Sequence, residues 1–449
     1  MAAYPPAYLQ GLLGDAEAEA ALSDTALIEA MLTVETALAA AQAEVGEIPS
    51  EAAAAIAKAV KAFKPDMAAL TSATERDGVA VPGLVAQVRA SCDGPARHYL
   101  HWGATSQDIA DTAMALCLRR AIDLSTARLD AVIAALAALA DQHRDTVMAG
   151  RTRGQQATPT PFGLKAAGWM LPLLRWRKRL NDVRADALVL SFGGAAGTAA
   201  AYGPKARQIE TALAKRLGLA VAPMPTHTQR DGMVALGGWF AGVAGSLAKL
   251  AGDVLLLAQS EIGELRIGGA GGSSTMPNKR NPTRAEAILA LADRASAQIG
   301  ALHRAAAHEH ERGGAAWMTE WQVLPDLAVI AASALRHTMN LLEALEVDAA
   351  AMRRNLESSN GLLLAEAASF LLAGQMPRPD AQALVKEACA ETARAGRHLF
   401  EVLADRCDDA IDWAALRDPA RHLGDAHAMV DRALAEARDA VSTLKEDPQ

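Results

Sequence analysis

The chain has 449 residues, of which 51% are apolar but only 4% aromatic, and alanine and leucine dominate. That composition favours helix over sheet, because Ala and Leu are strong helix formers while β-branched and aromatic residues are sparse. A formal charge of −8 argues against a nucleic-acid groove or an anionic membrane surface as partner, yet a few converging Arg and Lys side chains still suffice to hold an acidic ligand.

The first 110 residues read as short helices near Asp24–Val45 and Ser50–Phe63, then a turn-rich stretch at Gly78-Val79-Ala80-Val81-Pro82-Gly83. From Asp111 to about Asp145 neither Pro nor Gly occurs. Ile122, Leu129 and Leu136 form one seven-residue ladder there, and Leu118, Val132 and Leu139 a second. That pattern predicts a helix of roughly 50 Å with a coiled-coil-like seam. A second long helix is expected over Gly237–Leu265, where Trp239, Val243, Leu247, Leu250, Val254 and Leu257 keep helical spacing. A third follows Pro282 with Ile288, Leu291, Ala295, Ile299 and Leu302, and a fourth runs from about Leu324 to Leu345. Shorter helices resume from about residue 356. The expected division is an N-terminal helical domain over 1–112, a central long-helix bundle over 113–355 and a C-terminal helical domain over 356–449.

Cys92, Cys117, Cys389 and Cys407 are widely spaced with no C-x-x-C pair, so the expected compartment is the reducing cytoplasm. The N-terminus lacks a basic segment followed by an apolar one, and no signal peptide is expected. The apolar runs near 237–248 and Gly361–Leu364 are broken by Lys249 and Glu366, short of the roughly 20 residues of a membrane span.

Three polar clusters interrupt the helical pattern. The first is His101-Trp102-Gly103-Ala104-Thr105-Ser106-Gln107-Asp108, whose hydroxyls and amide suit a carboxylate, and whose Thr105 or Ser106 equally suits the N-cap of the long helix. The second is Gly150-Arg151-Thr152-Arg153-Gly154-Gln155-Gln156-Ala157-Thr158-Pro159, with arginines placed for bidentate carboxylate recognition or for a solvated basic turn. The third is Gly272-Ser273-Ser274-Thr275-Met276-Pro277-Asn278-Lys279-Arg280-Asn281-Pro282, approached through Gly268, Gly269 and Gly271. It carries hydroxyls and a lysine to a helix N-terminus, with Asn281-Pro282 read as N-cap and first turn. His227-Thr228-Gln229-Arg230-Asp231 offers a further anion contact or a helix cap. His308-Glu309-His310-Glu311-Arg312 lacks metal-ligand spacing, since residues two apart on a helix diverge. Arg175-Trp176-Arg177-Lys178-Arg179 reads as a solvated helix face, and Gly193-Gly194-Ala195-Ala196-Gly197 lacks the Lys-Ser/Thr of a P-loop.

The third cluster resembles the G-S-S-x-M-P-x-K-x-N-P signature of the fumarase/aspartase superfamily, and all three clusters occur in the order and at the separations of its active-site regions. The resemblance covers nearly the whole chain. It implies an all-α fold of three helical domains, a homotetramer with a twenty-helix core, and active sites assembled from three subunits. It implies proton transfer α to a carboxylate through an aci-carboxylate intermediate, on a small polycarboxylate substrate. Ser273 would be the general acid/base, with Lys279 and Asn281 holding carboxylate or intermediate and His101 a further catalytic residue. Thr105, Ser106, Gln107, Arg153, Gln156, Thr158, Arg230 and Arg312 would contact substrate. No metal and no organic cofactor is expected, because the His and Cys residues lack ligand spacing and this chemistry needs only fixed dipoles and cations.

Within the superfamily, His101–Asp108, Phe192–Thr198, His227–Asp231, Glu309–Arg312, Trp317–Trp321 and Val347–Leu356 resemble its cycloisomerase branch, with adenylosuccinate-type lyases next nearest. Many superfamily lyases place histidine in the second region, where this chain has Arg153 and Gln156. Expelling an amine or hydroxide benefits from a near-neutral acid. Lactone closure or opening involves a carboxylate, which needs no proton at neutral pH, and a permanently charged Arg153 suits holding it. The departure favours lactonisation over amine release.

Overall fold

A computed structural model describes residues 6–269, 271–272, 275–276, 279–407 and 411–446. Among the described residues seven long helices dominate: α1 (Asp24–Glu44), α2 (Ser106–Gln142), α3 (Phe162–Ala187), α4 (Asp231–Leu257), α5 (Thr283–Ala305), α6 (Gly314–Glu343) and α7 (Ala426–Glu446). Helix α2 starts ahead of the Pro- and Gly-free window because Asp108 reaches back to accept the Thr105 N–H at 3.0 Å, closing a capping box. Helix α4 begins before Gly237 and stops before Leu265, which lies in a strand. Helix α6 starts well before Leu324 and contains Pro325, which removes one backbone donor without ending the helix.

The expected ladders are buried. Leu118, Ile122, Leu129, Val132 and Leu136 are sealed on α2, as are Trp239, Val243, Leu247, Leu250 and Val254 on α4 and Ile288, Leu291, Ala295 and Leu302 on α5. Leu139 and Ile299 are half-buried. Each large aliphatic side chain so buried contributes about 1.5–3 kcal/mol. By length and composition alone, Asp231–Leu257 and the Ala16–Glu44 stretch are apolar enough to cross a membrane. Single charges such as Lys249 interrupt the apolar run without offsetting its average, which is why the uninterrupted runs understated them.

By compactness the chain forms two units. The first comprises Met1–Arg128, Arg179–Gly245 and Ala290–Leu335; the second comprises Leu129–Lys178, Ser246–Leu289 and Arg336–Gln449. The sequence-derived boundaries at 112 and 355 fall inside α2 and inside the helix Ala349–Glu357. In the first unit, Thr112 and Ser191 exchange hydrogen bonds at 3.2 Å, tying α2 to the segment that carries Gly193 and Gly194. In the second, Leu364, Leu372, Val385, Leu399, Phe400, Leu403 and Trp413 form a compact C-terminal core.

The second unit also holds three two-stranded antiparallel sheets. Strands β1 (Val147–Thr152) and β2 (Gln155–Pro161) form a hairpin, β3 (Leu265–Ile267) pairs with β6 (Leu345–Val347), and β4 (Gly271–Gly272) pairs with β5 (Arg280–Asn281). The second polar cluster is therefore a hairpin rather than a helix-end loop. Thr152 pairs with Gln155, leaving Arg153 (φ 51°) and Gly154 (φ 80°) as a two-residue turn with both angles positive, the backbone of a type I′ hairpin. Asn281 sits in β5, paired with Gly271, and Pro282 rather than Asn281 supplies the first carbonyl of α5, to the Glu286 N–H at 3.1 Å.

Candidate functional site

The N-terminal turns of α2 bury a polar face where a helix core is ordinarily apolar. Asp108 accepts from the Gly193 and Gly194 amides at 2.9 and 3.0 Å and lies 2.8 Å from His227 Nε2. One turn on, Asp111 accepts from Trp317 Nε1 at 2.7 Å, from Arg230 Nη1 at 2.8 Å and from Gln107 Nε2 at 3.1 Å. Arg230 also binds both carboxylate oxygens of Glu320, through Nε at 2.9 Å and through Nη2, and donates to the Thr226 carbonyl. Burial opposes the charge on Arg230, but Asp111 and Glu320 outweigh it and hold the guanidinium above its ordinary value.

Gln107 is fully buried and spends both ends on protein: Nε2 also donates to the His227 carbonyl at 2.9 Å, and Oε1 accepts from Arg312 Nε at 2.7 Å. Gln107 and Arg230 (3% exposed), both expected as substrate contacts, thus spend these polar atoms on protein partners. Arg312 differs. Its Nε is held by Gln107, while Nη2 is enclosed and has no hydrogen-bond partner among the described residues. An enclosed donor without an acceptor is costly, and an acceptor such as a carboxylate would remove the cost.

Ahead of α2, the loop 101–103 is unusually shaped. His101 has φ 61° and Gly103 φ 74°. A Cβ at Gly103 would lie 2.5 Å from Tyr202 Cε1, so only glycine fits. Tyr202 stacks on Phe192 with ring centroids 4.8 Å apart, and burial keeps its hydroxyl well above the ordinary tyrosine value. His101 Nδ1 lies 2.6 Å from Glu35 Oε1. Thr105 and Ser106 are both half-buried at the helix start, so a capping position and a ligand-facing one coincide.

In the second unit, Arg153 stands exposed at the hairpin tip, and Gln156 and Thr158 are exposed along β2, Gln156 donating to the Asn355 carbonyl at 3.2 Å. Arg151, beside Arg153 in sequence, is structural: it forms a two-armed ion pair with the fully buried Glu264 at 2.6 and 2.9 Å. Lys279 is exposed ahead of α5 and Asn281 is half-buried in β5. Ser273 lies outside the described residues.

His308 and His310 occupy the connection between α5 and α6, not a helix as expected. His308 accepts the Gly313 N–H through Nδ1 at 3.2 Å, and burial followed by the Arg230 charge lowers its affinity for a proton. Among the described residues no group of three or more His, Cys, Asp or Glu side chains gathers as metal ligands would. The Arg175–Arg179 face is only partly solvated: Trp176 donates to Ser246 at 3.0 Å and Arg177 to Asp130 at 2.9 Å.

A lyase family model matches residues 14–297, and one described as the adenylosuccinate lyase C-terminus matches residues 361–433. The chain is 44% identical over 428 residues to a 3-carboxy-cis,cis-muconate cycloisomerase of Pseudomonas aeruginosa, covering 93% of each. It is 41% identical to a nitrosuccinate lyase of Streptomyces davaonensis, covering 93% of this chain and 92% of that one. Its fold superposes on the crystal structure of a 3-carboxy-cis,cis-muconate lactonizing enzyme from Pseudomonas putida with a TM-score of 0.91, at 39% identity, over 96% of this chain and 99% of the other.

The chain belongs to the fumarase/aspartase superfamily. The described residues keep the predominantly helical architecture that the sequence implies, with three two-stranded sheets beside the helices. Sequence reasoning singled out the His227–Asp231 segment but not Glu35, Asp111 or Glu320, which the structure places in this buried polar network. For Asp111 a signal was present: it stands one turn after Asp108 and four residues before Ala115, at the point where the helix passes from polar Ser106–Asp108 into an apolar ladder, and an acid there needs a buried partner. Glu35 and Glu320 gave no comparable local signal, because their partners are remote in sequence.

Proposed function

We propose that this protein closes 3-carboxy-cis,cis-muconate to 4-carboxymuconolactone, within protocatechuate degradation in the cytoplasm. The observation that carries the reading is identity of 42–44% with cycloisomerases over more than nine-tenths of the chain, joined by the second-region departure at Arg153 and Gln156. One substrate carboxylate adds to the conjugated alkene, and negative charge builds on the carbon α to another carboxylate. Lys279 and Asn281 stabilise that aci-carboxylate, and Arg153, Gln156, Thr158, Thr105, Ser106 and Arg312 hold the carboxylates in attack geometry. Ser273 delivers the proton, activated by the cationic surroundings of its loop. His101 is the proton-exchanging side chain of the first region. The active unit is a homotetramer with sites shared between subunits, each subunit of three helical domains divided near 112 and 355.

Loss of 3-carboxy-cis,cis-muconate absorbance on addition of the purified protein, with the lactone identified by mass and retention time, tests the reading. Static light scattering of the same sample tests the tetramer. The identity with nitrosuccinate lyase favours a second reading, a superfamily lyase that releases fumarate. Turnover of nitrosuccinate or adenylosuccinate without turnover of the muconate would establish it instead.

A further inference from the structure

Loop 101–103 is clamped from one face of α1. Glu35 and Gln42 are one heptad apart and so project from the same side of that helix. Glu35 places Oε1 2.6 Å from His101 Nδ1, and Gln42 donates through Nε2 to the Trp102 carbonyl at 2.7 Å. Together they hold His101 in a left-handed backbone, at φ 61°, that few residues other than glycine adopt. Glu35 is sealed at 3% exposure while the His101 side chain keeps 18%. Nδ1 is thus committed inward, and Nε2 makes no hydrogen bond among the described residues. Of the other histidines in this unit, His98 is exposed ahead of the loop, His227 is buried and gives Nε2 to Asp108, and His308 spends Nδ1 on the Gly313 N–H while burial lowers its affinity for a proton; the second region carries Arg153 and Gln156 in place of histidine.

We propose that Glu35 is a positioning residue that locks His101 as its Nδ1–H tautomer, so that Nε2 is the atom that exchanges one proton during turnover. The inference rests on the proposed function only in placing His101 beside the substrate. In the neutral pair Nδ1–H points at the Glu35 carboxylate and Nε2 holds a lone pair. A proton taken onto Nε2 from solvent gives an imidazolium whose charge the buried carboxylate offsets. Passing that proton on, to replace the one that Ser273 gives the substrate carbanion, restores the neutral ring and leaves Glu35 unchanged, so closure takes one proton from solvent overall. The titratable and charged groups around the loop include Arg89, which donates to the Leu100 carbonyl at 3.2 Å, Tyr99, whose ring centroid lies 5.8 Å from that of Trp102, Glu47, which accepts from Trp102 Nε1 at 3.3 Å, Lys205, 3.2 Å from Glu47, Asp108, and the Tyr202 phenol.

Selective nitrogen-15 labelling of histidine, assigned with a His101→Gln variant, reads the tautomer in the intact protein. The expected signal is Nδ1–H, displaced toward Nε2–H in Glu35→Gln. That variant should lose about tenfold to a hundredfold in kcat, the scale for removing an orienting carboxylate, with KM within about threefold. The alkaline limb of its kcat–pH profile should move to lower pH, because the protonated ring that donates has lost its counter-charge. Glu35→Asp, which keeps the carboxylate, should recover part of the loss. An Nε2–H tautomer in the unaltered protein overturns the proposal. So does a folded Glu35→Gln enzyme with kcat within about twofold of the original and an unmoved profile. The tautomer is measured without substrate, so its outcome is independent of whether 3-carboxy-cis,cis-muconate is turned over, and it decides the matter even if Glu35→Gln fails to fold.

Discussion

Asp108 and His227 lie 2.8 Å apart, oxygen to nitrogen, and both are nearly sealed from solvent. The same carboxylate also takes the amides of Thr105, Gly193 and Gly194, so one side chain joins the start of α2, a glycine turn and the segment ahead of α4. Asp108→Asn offers one acceptor oxygen where two were in use and turns a donor toward other donors. The expected loss is about 2–4 kcal/mol of unfolding free energy, read from urea denaturation; an unchanged midpoint would contradict the assignment.

Arg230 and Arg312 separate a positioning role from a binding role. Arg230→Met leaves Asp111 and Glu320 buried without a cation, and should cost about 3–5 kcal/mol of stability. Arg312→Lys keeps a charge but loses the planar fork, so it should raise KM several-fold with the thermal midpoint nearly unchanged. The prediction fails if the two variants exchange these phenotypes.

Ser273→Ala should lower turnover by about a hundredfold or more, the usual scale for a positioned acid/base, while equilibrium binding of the substrate persists. Turnover within a factor of a few of the original would exclude Ser273 as proton carrier.

Arg153 occupies the first position of a type I′ turn, where asparagine or glycine is the comfortable residue. Arg153→Asn should therefore stabilise the hairpin, by about 0.5–1 kcal/mol, and at the same time weaken substrate binding. Denaturation midpoint and KM should rise together. A midpoint that falls would show that Arg153 is held there by contacts and not by function.

His143, His308 and His398 all bind protons less readily than an ordinary imidazole because burial disfavours their charged form, with Arg230 adding to this at His308 and Arg417 at His398. Unfolding returns each to its ordinary affinity, so below about pH 6.5 the unfolded chain binds more protons than the folded one. Their contribution is complete above that pH and is lost as the pH falls toward 5. Urea midpoints measured across roughly pH 7.5 to 5 should decline; a rise over this window would rule out burial as the governing effect.

Much of the fold is visible in the order of residues. The ladder Ile122, Leu129 and Leu136 and the spacing from Trp239 to Val254 announce helices because a buried stripe must recur at the helical period, and those side chains are buried. Helix ends were less legible. The start of α2 depends on the Asp108 side chain reaching back to Thr105, and α6 runs through Pro325, so local propensity gave way to tertiary packing. The hairpin at 147–161 was hidden because its alternation is brief and polar on one side. In the site, residue types that suit carboxylates were readable, but not which of them the protein keeps for itself. Gln107 and Arg230 differ from Arg312 through partners remote in sequence, the His227 carbonyl for Gln107 and Asp111 and Glu320 for Arg230.

The Glu264 carboxylate has a consequence for synthesis. It is fully buried and is satisfied by Arg151 and, at 2.8 Å, by Asn355 Nδ2, which also caps the Ile262 carbonyl. During translation Arg151 is already present when Glu264 emerges, but Asn355 follows 91 residues later, on the order of ten seconds at common elongation rates. For that interval the nascent chain holds a carboxylate that cannot yet be enclosed without penalty. Full enclosure of the Glu264 carboxylate therefore requires the chain through residue 355, in the last quarter of the polypeptide.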